Sequence, residues 1–479
     1  MAPALSAAAA ALLLGAAHGT DRGAERGKGA FPWPRGSSQA FVQLFEWSWD
    51  DVAVECEEWL GPKGFTAVQI SPPNEHSSGT DWFQRYQPVS YKLVSRSGNE
   101  SQFASMVERC RKAGVGVYAD AVFNHMAPYS GTGVAGSSFG WRHYPAYTPE
   151  DFHYSPGDSS KNCGVSNYDD QYNVQYCDLS GMPDLCTECE SVQREVAKYL
   201  NRMADIGIAG IRVDAAKNMH TNDLGKVLRR VNGSLFRFQE VPFGGVIQES
   251  MYFHNGPVAA FGYGAALGPK FLGEGQLWGD LAYIGEQWGL PPQESAVVFI
   301  DNHDTQRSGA QLTYRSGKLY TLANVFMLAH PYGYPRVMSS FRFGWADQAA
   351  PSASVHGPNG TLRCGEGQPW VCEHREPAIA NMVAWRRSAG ESAVSWSMFA
   401  GGTMAFCRGG QACVMLNRMN QPWSATLQLT LKAGLYCDVI QSDSGDCPAV
   451  TVAANGTAHL MVPPLGSVAL HVGALKPMV

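Results

Sequence analysis

Residues 206–217 read IGIAGIRVDAAK, and this stretch decides the fold. A helical pattern, SVQREVAKYLNRMADIG from residue 191, runs directly into it. The apolar run GIRVDAA from Gly210 is typical of a buried strand. A helix that leads into a strand of this kind predicts a parallel sheet with crossover helices.

The same unit recurs along the chain. The helical patterns DVAVECEEWL and SQFASMVERCRKAG each follow an apolar run. The other strand candidates are AFVQLFEW from Ala40, AVQISP from Ala67, VGVYADAVFNH from Val115, FRFQEV from Phe236, AVVFIDNHD from Ala296 and YPRVMSS from Tyr334. This alternation predicts an α/β fold of the (β/α)₈ TIM-barrel type.

Two segments depart from this pattern in a chain of 479 residues, which is longer than one core usually supports. Residues 126–184 are rich in Gly, Ser, Tyr, Pro and Asp, which predicts a small inserted domain after the third strand. Residues 391–479 carry short alternating segments, which predict a C-terminal antiparallel β-sandwich. The barrel then comprises residues 20–125 and 185–390.

The first nineteen residues, MAPALSAAAAALLLGAAHG, form a short apolar run that ends in small residues. This pattern predicts a secretory signal peptide at 1–19, with a membrane anchor as the alternative. Twelve cysteines and N-glycosylation sequons at Asn99, Asn232, Asn359 and Asn455 fit an oxidising export route. We therefore expect a secreted, extracellular protein.

The formal net charge is −6, and no run of Lys or Arg occurs. The positive field that attracts phosphate backbones or anionic lipid is therefore missing. This argues against a nucleic-acid or membrane partner and favours a neutral substrate.

Acidic residues stand at the ends of several predicted strands. DAVFNH ends the third strand, and Asp214, Glu240 and Asp304 end three others. A single Asp after a strand is commonly a helix N-cap or turn residue. Several together favour catalysis, because active sites of barrel enzymes lie at the carboxyl ends of the strands.

Asp214 and Glu240 suit the two carboxyl roles of glycoside cleavage. Asp214 follows Arg212 by two residues, so both side chains lie on one side of the strand, and the guanidinium favours the ionised aspartate. Glu240 has apolar neighbours in FRFQEV, which favour the protonated acid. The pair is thus interpreted as nucleophile and acid.

The sequence resembles the animal-type, chloride-dependent α-amylases of the (β/α)₈ glycosidase family over roughly residues 40 to 475. The motifs that carry the resemblance are LFEW, VQISPPNE, RYQPVSYKL, RSGNE, DAVFNH, IGIAGIRVDAAK, FIDNHDTQR, FMLAHPYGYPRVMSS and WVCEHR. The resemblance implies a retaining endo-hydrolase of α-1,4-glucosidic bonds. It makes Asp214 the nucleophile, Glu240 the general acid/base and Asp304 a third acid.

The resemblance also implies which residues contact the sugar: Trp82, Phe83, Tyr86, His125, Arg212, Lys217 and His303. Aromatic residues suit this role because sugar rings present C–H faces that pack on aromatic faces. The chain departs from the family at Phe83, where a second Trp is usual. It departs again at Asn218, where His is common, and after Arg307, where the chain passes quickly through SGAQ instead of a Gly-rich loop.

The resemblance implies that the protein binds two ions, calcium and chloride. Calcium would take oxygens from Asn124, the Gln175 carbonyl, Asp184 and the Asn218 carbonyl. Chloride would be bound by Arg212, Asn302 and Arg336. Asn124 and Asp184 could instead be ordinary turn residues, and Arg336 could instead pair with a barrel carboxylate.

Matching positions imply the disulfides Cys56–Cys110, Cys163–Cys177, Cys364–Cys372 and Cys437–Cys447. Cys407 and Cys413 are left without an assigned partner, as are Cys186 and Cys189. The C-x-x-C pair in LCTEC suits a local disulfide better than redox chemistry or a metal site, because no second Cys/His pair accompanies it.

We expect a monomer that acts on starch, glycogen and maltooligosaccharides. An exo-acting enzyme or transglycosylase on the same fold is the first alternative, to be distinguished by its products. A catalytically inactive carbohydrate-binding protein is the second, and the intact set of three acids weighs against it.

Overall fold

A computed structural model describes residues 38–273, 278–309, 312–444 and 446–477. The predicted signal peptide at 1–19 lies outside the described residues, as does most of the spacer that follows it.

Eight parallel strands form one closed barrel, in which each strand pairs with the next along the chain and the last pairs with the first. Strands β1 to β8 are Phe41–Leu44, Ala67–Ile70, Gly116–Ala121, Gly210–Val213, Phe236–Gln239, Val258–Ala259, Ala296–Val298 and Tyr334–Ser339. The predicted barrel is confirmed. Only β6 has no counterpart among the strand candidates, because two residues carry no recognisable period.

Helices flank these strands. The helix Glu190–Ile206 ends where Gly207 adopts φ 106°, a left-handed conformation that glycine tolerates. The α-helices are Trp49–Glu55, Gly61–Lys63, Glu100–Lys112, Gln171–Tyr176, Glu190–Ile206, Thr221–Arg229, Phe261–Leu272, Thr305–Ser308, Lys318–Ala329 and Pro377–Ala389, with a π-helical turn at Cys56–Leu60. None of the described helices is both long and apolar enough to cross a membrane.

Aromatic side chains close the amino-terminal half of the barrel. The rings of Phe41, Tyr118, Phe236 and Tyr334 pack with centroids 4.6 to 5.7 Å apart. At Gly210 a Cβ atom would lie 2.7 Å from Cδ1 of Tyr118 and 2.6 Å from the Phe236 carbonyl oxygen, so only glycine leaves room for the Tyr118 ring.

On β1, β2, β3, β4 and β8, a buried polar side chain lies one layer closer to the carboxyl ends of the strands. These side chains share the inward face because strand side chains alternate. These buried residues are Gln43, Gln69, Asp120, Arg212 and Arg336. The aromatic layer therefore supports a polar layer that faces the carboxyl ends of the strands.

The segment between β3 and β4 holds a short hairpin of Gly131–Thr132 with Ser138–Phe139, a 3₁₀ turn at Pro149–Asp151 and the helix Gln171–Tyr176. The chain returns to the barrel where His125 forms an isolated bridge with Asp184. This arrangement agrees with an inserted unit, although its limits at 126 and 184 stay predictions.

The C-terminal part is antiparallel, as predicted. One sheet holds Val394–Ala400, Thr403–Arg408, Ala412–Asn417 and Gly466–His471, a second pairs Trp423–Gln428 with Thr457–Val462, and a third holds Gly434–Cys437, Ala449–Val452 and Leu475–Lys476. Buried side chains from all three sheets form one apolar cluster. The limit at 391 stays a prediction.

All twelve cysteines are paired. The structure contains the four pairs that the resemblance implies, Cys56–Cys110, Cys163–Cys177, Cys364–Cys372 and Cys437–Cys447. The remaining four cysteines form Cys186–Cys189 and Cys407–Cys413. The C-x-x-C pair is thus a local disulfide.

Candidate active site

One buried guanidinium joins three carboxyl groups above the aromatic layer. Arg212 Nη1 lies 2.6 Å from Asp120 Oδ1 and 2.8 Å from Asp214 Oδ1. Its Nη2 lies 2.8 Å from Glu240 Oε1. Because the three acids come from β3 and from the ends of β4 and β5, neighbouring strands converge on a single cation.

The backbone directly after Asp214 adopts an uncommon conformation that places a hydrogen-bond donor in the site. Ala215, directly after Asp214, adopts φ 47°, which is uncommon for a residue with a side chain. This conformation aims its N–H at Glu240 Oε2, 2.8 Å away. Glu240 therefore meets a guanidinium and a backbone donor, and the purely apolar surroundings expected from FRFQEV are not found.

The carboxyl groups outnumber the cation that they contact. Burial raises the pKa of Asp214 well above its usual range, the charge of Glu240 adds to this rise, and Arg212 opposes the shift without cancelling it. Burial likewise raises the pKa of Asp120. Asp120 and Asp214 therefore retain protons more readily than isolated carboxyl groups do. The expectation that Arg212 keeps Asp214 ionised is not met, because burial and the charge of Glu240 outweigh the guanidinium.

Asp304 lies at the end of the segment that follows β7. Desolvation in the cleft raises its pKa to about 7, with a further contribution from the charge of Glu240. It precedes the helix Thr305–Ser308, but its side chain makes no capping hydrogen bond. The alternative interpretation of Asp304 as a helix cap is thus not supported.

An aromatic wall stands beside these acids. Tyr86 stacks on His303 with centroids 4.9 Å apart and donates its hydroxyl to Asp120 Oδ2 at 3.0 Å. The Trp82 ring packs edge-on against the rings of Tyr86, His303 and Phe83, with ring centroids 5.7 to 6.2 Å apart. The indole N–H of Trp82 is anchored to the Ala346 carbonyl at 2.8 Å. The wall therefore has a fixed position.

The two predicted histidines lie in this wall and are buried. Burial lowers the pKa of His125 to about 4 and that of His303 well below its usual range, so both rings are neutral near pH 7. His125 Nε2 lies 2.9 Å from the Tyr86 carbonyl oxygen, and His303 Nε2 lies 3.3 Å from Asp304 Oδ2. Neutral rings of this kind can exchange hydrogen bonds with a sugar hydroxyl.

Lys217 is directed to the loop after β5. Its ammonium donates to the carbonyls of Pro242 at 2.8 Å and Gly244 at 2.5 Å. The structure therefore gives Lys217 a clear role in holding this loop, in addition to the sugar contact that the resemblance implies.

The predicted calcium residues come together at the base of the inserted segment. Asn124 directly precedes His125, which forms a bridge with Asp184. The Asn218 amide donates to the Val174 carbonyl at 3.0 Å, one residue before Gln175. Within the described part of the chain, Asn124 Oδ1 and Asp184 Oδ1 are buried without a hydrogen-bond partner. Two such oxygens make an environment that suits a hard cation.

Two of the three predicted chloride residues, Arg212 and Arg336, lie in the polar layer, and Asn302 is buried beyond the end of β7. Arg336 donates Nη1 to Gln69 Oε1 at 3.0 Å, while its Nε and Nη2 are buried without an acceptor among the described residues. Burial and the charge of Arg212 lower the pKa of Arg336 to about 10. Asn302 Oδ1 accepts from the backbone of Asp304 and Thr305. A buried guanidinium with unused donors, close enough to Arg212 for that second charge to lower its pKa, suits a small anion.

Two residues at the site were not among the predicted site residues. Asp120 was visible in DAVFNH, and its register partner across the sheet is Arg212. Arg307 lies 4.3 to 5.4 Å from the ring centroids of Phe45, Trp82, Phe341 and Phe343. No pattern in the sequence could have brought these four rings to one arginine.

Carboxyl groups clustered at the carboxyl ends of barrel strands, beside a fixed aromatic wall, define the site of a barrel glycosidase. Comparison with known proteins agrees. Residues 59–260 match the family described as alpha amylase, catalytic domain, and residues 399–473 match alpha amylase, C-terminal all-beta domain.

Similar proteins are found in several animals. The chain is 41% identical over 482 residues to pancreatic alpha-amylase of Sus scrofa, which covers 90% of this chain and 93% of that protein. It is 42% identical over 471 residues to pancreatic alpha-amylase 2a5 of Mus musculus, covering 88% and 92%. The crystal structure of alpha-amylase I from Eisenia fetida matches with a TM-score of 0.86 at 35% identity, covering 93% of this chain and 99% of that chain. The chain belongs to the α-amylase family.

The buried cluster predicts a pH-dependent loss of stability in Arg212→Met. Without the guanidinium, the folded-state pKa values of Asp120 and Asp214 should rise further above their unfolded values. A raised carboxyl pKa destabilises the fold above the unfolded pKa, and the penalty disappears as the pH falls. We expect a loss of about 3–5 kcal/mol near neutral pH and a smaller loss at about pH 5, measured by urea unfolding.

Arg194→Met is the matched control, because Arg194 is exposed and pairs with Glu190 at 3.3 Å on the surface. It should cost less than about 1 kcal/mol at both pH values. Equal losses in Arg212→Met at the two pH values would contradict the electrostatic explanation.

Proposed function

We propose that this chain is a secreted, monomeric α-amylase that hydrolyses internal α-1,4-glucosidic bonds of starch, glycogen and maltooligosaccharides with retention of configuration. The observation that carries the proposal is the attachment of Asp214 and Glu240, from adjacent strands, to the same guanidinium. Export is supported by the complete pairing of twelve cysteines, which an oxidising compartment permits. A related structure is a complex of an Eisenia fetida α-amylase I variant with maltohexaose, a maltooligosaccharide.

Retention requires two displacements at the anomeric carbon. In the proposal, Asp214 attacks this carbon and forms a glycosyl ester while Glu240 gives a proton to the departing sugar oxygen. Glu240 then takes a proton from water, which attacks the same carbon and releases Asp214. Asp304 and the neutral His125 and His303 hold the sugar, and Trp82, Phe83 and Tyr86 offer it their rings.

Calcium fits the four predicted residues. Asn124 Oδ1 and Asp184 Oδ1 are two buried oxygens that have no donor among the described residues, and the Gln175 and Asn218 carbonyls would complete the set. A bound cation would supply charge compensation and join the inserted segment to the barrel. Asp184 Oδ2 is meanwhile paired with His153 Nδ1 at 2.6 Å.

Chloride fits Arg212, Asn302 and Arg336. No carboxylate pairs with Arg336 in the described residues, so the alternative of a simple ion pair lacks support. A bound anion would offset the positive charge beneath the carboxyl cluster and so favour the protonated acid.

Asp214→Asn should lower kcat on soluble starch by at least about a thousandfold, because an amide keeps the shape but cannot attack the anomeric carbon. The melting temperature and starch affinity should change little. Asp205→Asn, on the helix Glu190–Ile206, is the control and should retain activity. More than a few per cent of activity in Asp214→Asn, with deamidation excluded by mass spectrometry, would remove Asp214 from the nucleophile role.

Calcium removal should lower the melting temperature, because an ion bound only by the folded state stabilises it. Differential scanning calorimetry in excess chelator, with and without added calcium, measures this effect. Asp184→Ala should lose the response to calcium, whereas Asp158→Ala, in an exposed part of the inserted segment, should keep it. An unchanged melting temperature in excess chelator would indicate that Asn124 and Asp184 are ordinary turn residues.

Chloride should shift the alkaline limb of the pH–rate profile to higher pH. The anion would offset the positive charge of Arg212 and Arg336, which otherwise favours the ionised form of the nearby acids. Arg336→Gln should make both the profile and the melting temperature indifferent to chloride. Profiles of the unmodified enzyme that superimpose in chloride and in gluconate, at equal ionic strength, would contradict this role.

A further inference from the structure

Arg307 lies between two loops that carry parts of the candidate active site. It belongs to the helix Thr305–Ser308, which follows Asp304 directly. Its Nη1 donates back to the carbonyl oxygen of His303, the residue before Asp304. Its Nε donates to the carbonyl oxygen of Ala346, in the loop after β8, at 3.0 Å. One guanidinium thus joins the segment that carries the third acid to the neighbouring loop.

The Ala346 carbonyl oxygen is shared with the aromatic wall. It also accepts the indole N–H of Trp82 at 2.8 Å, and the two lone pairs of a carbonyl oxygen permit both hydrogen bonds. The guanidinium carbon of Arg307 lies over the Trp82 ring, 4.9 Å from its centroid, and a cation in this position attracts the ring. Arg307 therefore holds Trp82 in two ways, by a direct contact with the ring and through a shared acceptor.

The shape of the guanidinium is as important here as its charge. Burial lowers the pKa of Arg307 to about 10, so the group stays positively charged near pH 7. Its planar fork directs two N–H groups at two separate carbonyl oxygens, whereas a lysine ammonium is a single compact charge on a flexible stem. The Phe343 ring, with its centroid 4.3 Å from the guanidinium carbon, packs against the fork. A lysine at this position would keep the charge and lose the paired hydrogen bonds.

We propose that Arg307 is a positioning residue that fixes the Trp82 ring relative to Asp304, so that a sugar stacked on this ring meets the acid in the geometry that cleavage requires. This inference rests on the proposed function. Arg307 acts through Trp82 and Asp304 and needs no contact with the sugar. A displacement of about 1 Å in a substrate-positioning group can cost about a hundredfold in rate, so a fixed distance between the two groups has catalytic value.

The test is a double-mutant cycle that measures kcat and KM on soluble starch for Arg307→Lys, Trp82→Ala and the combined variant. Arg307→Lys should lower kcat/KM about tenfold when Trp82 is present and less than about threefold in Trp82→Ala, because the position of a missing ring has no effect. In the single variant kcat should fall and KM should rise, since both the acid and the stacking ring are displaced.

Arg315→Lys is the matched control. Arg315 packs on the same Phe343 ring, with its guanidinium carbon 4.1 Å from the ring centroid, and donates to the Phe343 carbonyl. No hydrogen bond or ring contact joins Arg315 to Trp82 or Ala346 in the part of the chain that the structure describes. This variant should leave kcat/KM unchanged, and a loss equal to that of Arg307→Lys would overturn the inference.

Equal fold losses from Arg307→Lys with and without the Trp82 side chain would also overturn the inference, because a direct sugar contact or a general loss of stability acts without this ring. An unchanged kcat/KM in Arg307→Lys would have the same meaning. If the melting temperature shows that Arg307→Lys does not fold, Arg307→Gln takes its place in the cycle. An unmodified enzyme that releases no sugar from starch would instead overturn the proposed function.

Discussion

The Arg212 guanidinium is the constraint on which the rest of the structure depends. A charge inside a barrel is costly unless it is paired and fully hydrogen-bonded. Arg212 meets this requirement by contacting Asp120, Asp214 and Glu240 at 2.6 to 2.8 Å. The strand register that builds the barrel also builds these contacts, since Asp120 lies opposite Arg212 and Glu240 lies two residues beyond Phe238, the other neighbour of Arg212. Fold and site therefore share one set of interactions.

Much of this arrangement could be predicted from single segments of the sequence. Each barrel strand except the two-residue β6 stood out as an apolar run, and the acids at the strand ends marked the site. What could not be predicted depends on neighbours from other segments. The neighbours of Glu240 in FRFQEV suggested apolar surroundings. Its contact with Arg212 comes from the adjacent strand and is not visible in that segment. The two-residue strand Val258–Ala259 has too little pattern to recognise, and the rings around Arg307 come from distant parts of the chain.

The inserted segment is joined to the barrel at both of its ends. His125, four residues beyond the end of β3, bridges Asp184, where the segment returns. His125 also contacts the Tyr86 carbonyl in the aromatic wall. The Cys186–Cys189 disulfide follows two residues later and leads into the helix Glu190–Ile206. A cation between Asn124 and Asp184 would thus act on the junction that also supports the sugar-facing wall, which connects stability to the shape of the cleft.

Charge balance in the polar layer connects the cleft to the barrel beneath it. Asp120, Asp214, Glu240 and Asp304 together exceed the single positive charge of Arg212, so the ionised state of all four is unfavourable. Arg336 adds a second positive charge, but its nearest polar contact is neutral Gln69, and its ring neighbour Phe299 lies 4.3 Å away. The four carboxyl groups consequently share the proton that acid catalysis requires, and they hold it before substrate binds. Any anion held by the two arginines would strengthen the cluster's hold on that proton, because it removes positive potential without adding a new acid.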